Sequence, residues 1–193
     1  SRPISADEVQ EKGLDVCRKA VARYGNRNFM PDKDAFERKV EAARSHEDCC
    51  EFFGVFRGDH LVGFSENHLQ DGAVFWESIW YDPDALGDYS SYVLCHVMLD
   101  YYLNGQSMRY VSDGCRSLYH DTGVQQFLMS KFGFVKEYAR LGVHYSMAAG
   151  ALVRILWPFR GILESMSQKS GADSVARLHG LALQQSIART SNL

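Results

Sequence analysis

No run of about twenty apolar residues occurs anywhere in this 193-residue chain, so nothing in it is long and apolar enough to span a bilayer as a helix. The amino terminus also lacks a basic-then-apolar signal stretch, and a cytoplasmic protein is the expectation. Positive charge is scarce: 21 Lys and Arg stand against 24 Asp and Glu, for a net charge of -3 and a pI near 6.1. Nucleic-acid phosphates call for clustered cations, so that partner is set aside. The five cysteines, at 17, 49, 50, 95 and 115, are odd in number, and the adjacent Cys49 and Cys50 cannot bridge without strain. A reduced protein is the simplest reading. Cys95 with His96 and Cys115 with His120 do not have zinc-site spacing, and no metal is expected. There is no internal repeat and no low-complexity tract.

What is present is an ordinary core-forming composition, 46% apolar and 23% charged, enough for one domain with a helical appendage. Residues 5–24 set Val9, Leu14, Cys17, Val21 and Tyr24 mainly on one helical face, with Ser5 and Glu8 spaced as a capping box. Residues 34–45 read as a charged surface helix burying Phe36, Val40 and Ala43. Three strands follow, 52–56, 60–67 and 74–81, separated by Arg57-Gly58-Asp59 and Gln70-Asp71-Gly72, which read as hairpin turns. A helix over 89–103, apolar nearly all round, argues burial against this sheet. Then come a strand at 108–112, a polar loop at 113–121, a helix at 122–132 and a strand at 137–145.

Residues 146–193 differ in kind. Leu152, Ile155, Leu156, Phe159, Leu163 and Met166 recur at helical spacing across Pro158, which kinks the helix or starts a new one, and Gly171 precedes a second, weakly amphipathic helix. Five basic residues against two acidic ones give this tail a charge of +3, leaving -6 elsewhere. Packing on the core or on a second subunit, as in a homodimer, is favoured over membrane-surface contact because the basic face is sparse. The chain is accordingly divided into residues 1–146 and a helical extension, 147–193.

The segment 122–134 carries the most information. Thr122 and Gln125 have capping-box spacing, Val124, Phe127, Leu128 and Phe132 repeat at helical intervals, and Gly133 supplies a left-handed stop before Phe134. A strand feeding such a helix, closed by Phe-Gly-Phe and followed by another strand, resembles the end of the acyl-CoA-binding core of the GNAT superfamily. The resemblance implies an α/β fold with a mixed, mostly antiparallel central sheet flanked by helices, splayed between its fourth and fifth strands to admit an acyl-CoA. Those strands match 74–81 and 108–112. It implies acetyl-CoA or another acyl-CoA as cosubstrate, an amine acceptor, and pyrophosphate binding by the loop after the fourth strand at a helix amino terminus. The matching positions are Ile79, Tyr81, Leu86, Gly87, Asp88, Tyr89 and Ser90. Here the loop has a single glycine, Gly87, with Asp84 and Asp88 beside it; Met129 stands where many members carry a proton-donating Tyr, and Thr122 where an Asn is usual.

Glu77, flanked by Trp76, Ile79 and Trp80, is the first choice for a general base, against the alternative of a solvent-facing strand residue. The 113–121 loop gathers Asp113 and Arg116 as substrate-binding candidates and Tyr119 and His120 as proton donors or shuttles; the plainer reading is a loop that caps the following helix. Three readings therefore stand: an acyltransferase moving an acyl group from CoA to an amine, a noncatalytic module of the same fold serving ligand binding or assembly, and, less favoured, a membrane-surface protein anchored by Leu152 to Met166.

Overall fold

The computed structural model describes residues 1–24, 32–114, 123–137, 143–170 and 173–190. The chain forms two compact units, Ser1–Cys115 and Arg116–Leu193.

In the first unit, β1 (Arg2–Ile4) leads into α1 (Ala6–Tyr24) and α2 (Lys33–Arg44), then β2 (Cys50–Arg57), β3 (His60–Gln70) and β4 (Ala73–Tyr81). A 3-10 turn at Pro83–Asp88, α3 (Ser90–Leu99) with a π turn at Asp100–Gly105, and β5 (Tyr110–Ser112) complete it. Strand order is β1-β2-β3-β4-β5, antiparallel except for the parallel β4 and β5 pair. The capping box forms: the Glu8 N–H donates to Ser5 Oγ at 3.2 Å and the Ser5 N–H to the Glu8 carboxylate at 3.3 Å. Both hairpin turns form as two-residue loops, with Gly58 at φ 57° and with Asp71 and Gly72 at φ 51° and 73°. Strand β1 was not legible in four residues ahead of the cap; it pairs Arg2 to Ile4 with Gly54 to Phe52 on the edge of the sheet.

Alternation along the strands makes two cores. Cys50, Phe52, Phe64 and partly Trp80 pack with Val9, Cys17, Phe36 and Val40 of α1 and α2. On the other face Phe53, wholly buried, sits 5.0 Å from the Tyr101 ring and 5.6 Å from Tyr102, and Ser65 Oγ donates to Met98 Sδ at 2.8 Å. Burial of a side chain like Phe53 contributes about 2–3 kcal/mol. Tyr102 is also fully buried, its hydroxyl donating to the Glu51 carboxylate at 3.0 Å.

The second unit holds α4 (Val124–Phe132), α5 (Met147–Leu156), a 3-10 turn at Trp157–Phe159, α6 (Arg160–Ser170) and α7 (Asp173–Thr190). Helix α4 ends at Gly133, in the left-handed region at φ 71°, as its sequence predicts. Its capping-box partner Thr122 lies outside the described residues, and the observed N-cap is Gly123. Pro158 starts a new helix: α5 ends, a 3-10 turn follows, and Trp157 Nε1–H donates to Ser186 Oγ of α7 at 3.2 Å. The strand expected over 137–145 lies mostly outside the described residues. Among the described residues no helix is long and apolar enough to cross a membrane.

Candidate active site

Strands β4 and β5 part after three residues. Ala73, Val74 and Phe75 pair with Tyr110, Val111 and Ser112, and among the described residues no strand pairs with that edge of β4 beyond Phe75. The parting coincides with a bulge. Asn67 faces Trp76 and Glu66 faces Ser78, so Glu77 is the extra residue on β4. Glu77 is exposed, the solvent-facing alternative of the two readings its sequence allowed, and not enclosed by its apolar neighbours; the bulge puts one unpaired residue at that point. Of the bulky residues near the parting, Trp80 packs against the core under α1 and α2, and Tyr89 is 67% exposed, with its ring 5.7 Å from Tyr92.

Beyond β4, Asp82 locks the turn toward α3. Its carboxylate accepts from the Asp84 N–H at 3.0 Å and meets the Lys19 ammonium at 3.0 Å. Burial alone would raise its pKa, but Lys19 and the Asp84 N–H outweigh burial and hold it below the usual carboxylate range. Leu86 is half-buried, while Gly87 is exposed with open space where a Cβ would stand. Asp88 is ion-paired with Arg57, which also donates to the Asp84 carbonyl at 3.0 Å. The negative loop is thus countered by a cation from the end of β2. Tyr89 takes a left-handed conformation, φ 60°, and turns the chain into α3. The Val93 N–H bonds the Tyr89 carbonyl, so the N–H groups of Ser90 and Ser91 have no partner within the helix. Ser90 is buried, and its Oγ has no hydrogen-bond partner.

Near the parting, half-buried Ile79 and Tyr81 lie on the α3 face of β4. The Tyr81 hydroxyl is 3.7 Å from Cys95 Sγ of α3, and burial pushes the Tyr81 pKa well above its ordinary value. Burial also pushes the Cys95 thiol up to about 11, with the nearby Asp113 carboxylate adding to the rise. Asp113, directly after β5, is itself pushed up to about 6 by burial. Of the residues proposed from the 113–121 loop, Asp113 takes its place here; Arg116, Tyr119 and His120 lie outside the described residues.

Sequence reasoning missed Glu66. It is buried on β3, its carboxylate 2.8 Å from Lys39 Nζ and 3.0 Å from His68 Nε2. With Lys39, Ser78, Phe36, Phe64 and Trp80 it lines a cavity of about 180 Å³ between α1, α2 and the sheet, where Ser78 Oγ is buried without a partner. One signal was available, a carboxylate in the middle of an otherwise buried strand.

A mixed sheet that parts between its fourth and fifth strands and is followed by a helix amino terminus is the GNAT arrangement that the resemblance implied. Solved structures agree. AAC(6')-Iy, in complex with the bisubstrate analogue CoA-S-monomethyl-acetylneamine, matches with a TM-score of 0.52 at 17% identity over 75% of this chain and 95% of that one. A ribosomal-protein-alanine N-acetyltransferase from Brucella melitensis biovar Abortus 2308 matches with a TM-score of 0.52 at 14% identity, over 75% and 96%. PaiA N-acetyltransferase from Thermoplasma acidophilum, in complex with coenzyme A, gives 0.51 at 15%, over 72% and 90%. No family model matches the sequence, and no curated protein does.

Proposed function

We propose that the protein is an acyltransferase that moves an acyl group, acetyl in the simplest case, from an acyl-CoA to an amine. The observation that carries this reading is the parting of β4 from β5 at the Glu77 bulge, directly ahead of the amino terminus of α3. In this reading the pantetheine arm lies along β4 from Ile79 to Tyr81 and adds hydrogen bonds the sheet does not make there. The pyrophosphate sits at Leu86 to Ser90, where the free N–H groups of Ser90 and Ser91 and the helix dipole favour an anion. Arg57 offsets Asp88 and keeps the loop from repelling phosphate.

Transfer needs a base to take a proton from the substrate ammonium, so that the free amine can attack the thioester carbonyl and form the amide as the C–S bond breaks and the CoA thiolate leaves. Two carboxylates flank the parting: Glu77, exposed at the bulge, and Asp113, half-buried after β5. With its pKa raised to about 6, Asp113 is mostly ionised at neutral pH yet basic enough to accept a proton, and so supplements Glu77 as a candidate. The acceptor is proposed to approach from the face of β4 bearing Ser78 and Trp80, where the cavity offers apolar walls, a hydroxyl and the Glu66 carboxylate. The thiolate leaving group is a tolerable one, and Met129 gives no proton.

Acetyl-CoA turnover, followed as free thiol against a panel of small amines, tests the proposal. Amine-dependent release that falls at least tenfold in Glu77→Gln or Asp113→Asn supports it. Binding of acetyl-CoA without turnover on any amine would favour a noncatalytic module.

A further inference from the structure

Cys50 and His68 are 18 residues apart in sequence, but the antiparallel register of β2 and β3 sets them directly opposite each other. Glu66 lies two residues before His68 on β3 and so shares its face of the sheet. The result is a compact donor set: Cys50 Sγ, a Glu66 carboxylate oxygen and a His68 ring nitrogen all lie within 4.8 Å of one another. Thiol, carboxylate and imidazole in one cluster are zinc's ligands, and three protein ligands leave a fourth position for water or a substrate atom.

From this arrangement we propose a divalent metal site of the zinc class formed by Cys50, Glu66 and His68. The His68 Nε2 to Glu66 oxygen distance of 3.0 Å is close to the roughly 3.3 Å that two such ligands span across a tetrahedral zinc. An ion entering there replaces the hydrogen bond between them, and Cys50 loses its proton as it binds. Cys50 and Glu66 are buried, whereas His68 is half-exposed at 46% and gives the ion a way in. The resident competitor is Lys39, whose ammonium holds the other Glu66 oxygen at 2.8 Å from a half-exposed position on α2. Metal and ammonium therefore contend for one carboxylate. Since Lys39 and Glu66 also line the cavity beside β4, occupancy by metal changes the charge at its wall.

Cobalt(II) is the probe, because a thiolate ligand gives it a charge-transfer band in the near ultraviolet that needs no turnover and no CoA. The full chain, titrated under reducing conditions, is expected to develop that band at one equivalent. The band is expected to vanish in Cys50→Ser, to need roughly tenfold more cobalt or beyond in His68→Ala, and to form several-fold more readily in Lys39→Met. His68→Ala and Lys39→Met alter half-exposed side chains and remain informative if Cys50→Ser fails to fold. No band in the wild type, or a band that Cys50→Ser and His68→Ala leave unchanged and that therefore arises from another cysteine, overturns the proposal.

Discussion

Arg57 at the end of β2 is ion-paired with Asp88 in the turn before α3, tying the β2–β3 hairpin to the loop proposed to hold the pyrophosphate. Both side chains are exposed, so the pair contributes little to stability; its consequence is electrostatic. Arg57→Ala leaves Asp88 uncompensated and is expected to weaken CoA binding by about three- to tenfold, a loss of about 1 kcal/mol. Asp88→Asn in the same chain should restore most of it, and the loss should shrink at high salt. Calorimetric titration of both variants at two salt concentrations checks this.

Asp113 titrates against folding. Because its folded pKa, about 6, lies above the unfolded value of about 3.9, the folded state binds the proton more tightly, and ionisation costs stability as pH rises through that window. Asp113→Asn should therefore be more stable than the wild type at pH 8 by about 1–2 kcal/mol, allowing for partial exposure, with the difference gone below pH 4. Urea unfolding at the two pH values measures it. If Asp113 is the base, the acidic limb of kcat/KM near pH 6 should disappear in the same variant.

Asp82 has the opposite sign. Its pKa is depressed by Lys19 and the Asp84 N–H, so its contribution is present above the unfolded value of about 3.9 and is lost as pH falls through the lower folded value. Asp82→Asn is expected to cost about 1–2 kcal/mol at pH 7 and little at pH 2, by denaturant unfolding.

Gly63 permits the close approach that places Tyr81. A Cβ there would stand 2.7 Å from Tyr81 Cδ1, 2.9 Å from Val55 Cγ1 and 3.0 Å from the Trp80 carbonyl oxygen, and the last is backbone that cannot rotate away. Gly63→Ala should destabilise the fold by about 1–3 kcal/mol and lower the melting temperature by several degrees. Gly87→Ala, with open space around it, should leave the melting temperature unchanged.

Much of the fold was legible because its signals are local. Gly58, Asp71 with Gly72, and Gly133 announced left-handed turns; Ser5 with Glu8 announced a cap; and Phe36, Val40 and Ala43 marked the buried side of α2. The turn between β4 and α3 was legible because Asp82-Pro83 ends the strand and an apolar helix follows. What escaped depends on register or on distance in sequence. Whether Glu77 is enclosed or solvent-facing was open from its neighbours; the structure exposes it at a bulge against Glu66 and Asn67 that is invisible in a single strand. Glu66 gained its meaning from Lys39 and His68, and Arg57 from Asp88, through contacts that no spacing rule expresses. Strand β1 is three residues long and held by pairing with β2, so its sequence had no period to show.

The central claim is that the turn after β4 and the amino terminus of α3 hold the pyrophosphate of an acyl-CoA. It is tested most directly by calorimetric titration of the purified protein with CoA and with acetyl-CoA, beside Gly87→Glu. That substitution adds a negative charge at an exposed position without a steric clash, so the variant should fold as the wild type does. Saturable binding of both ligands, lost in Gly87→Glu at unchanged melting temperature, is the expected result. No heat of binding with either ligand at millimolar concentration, or equal binding by the variant, would contradict it.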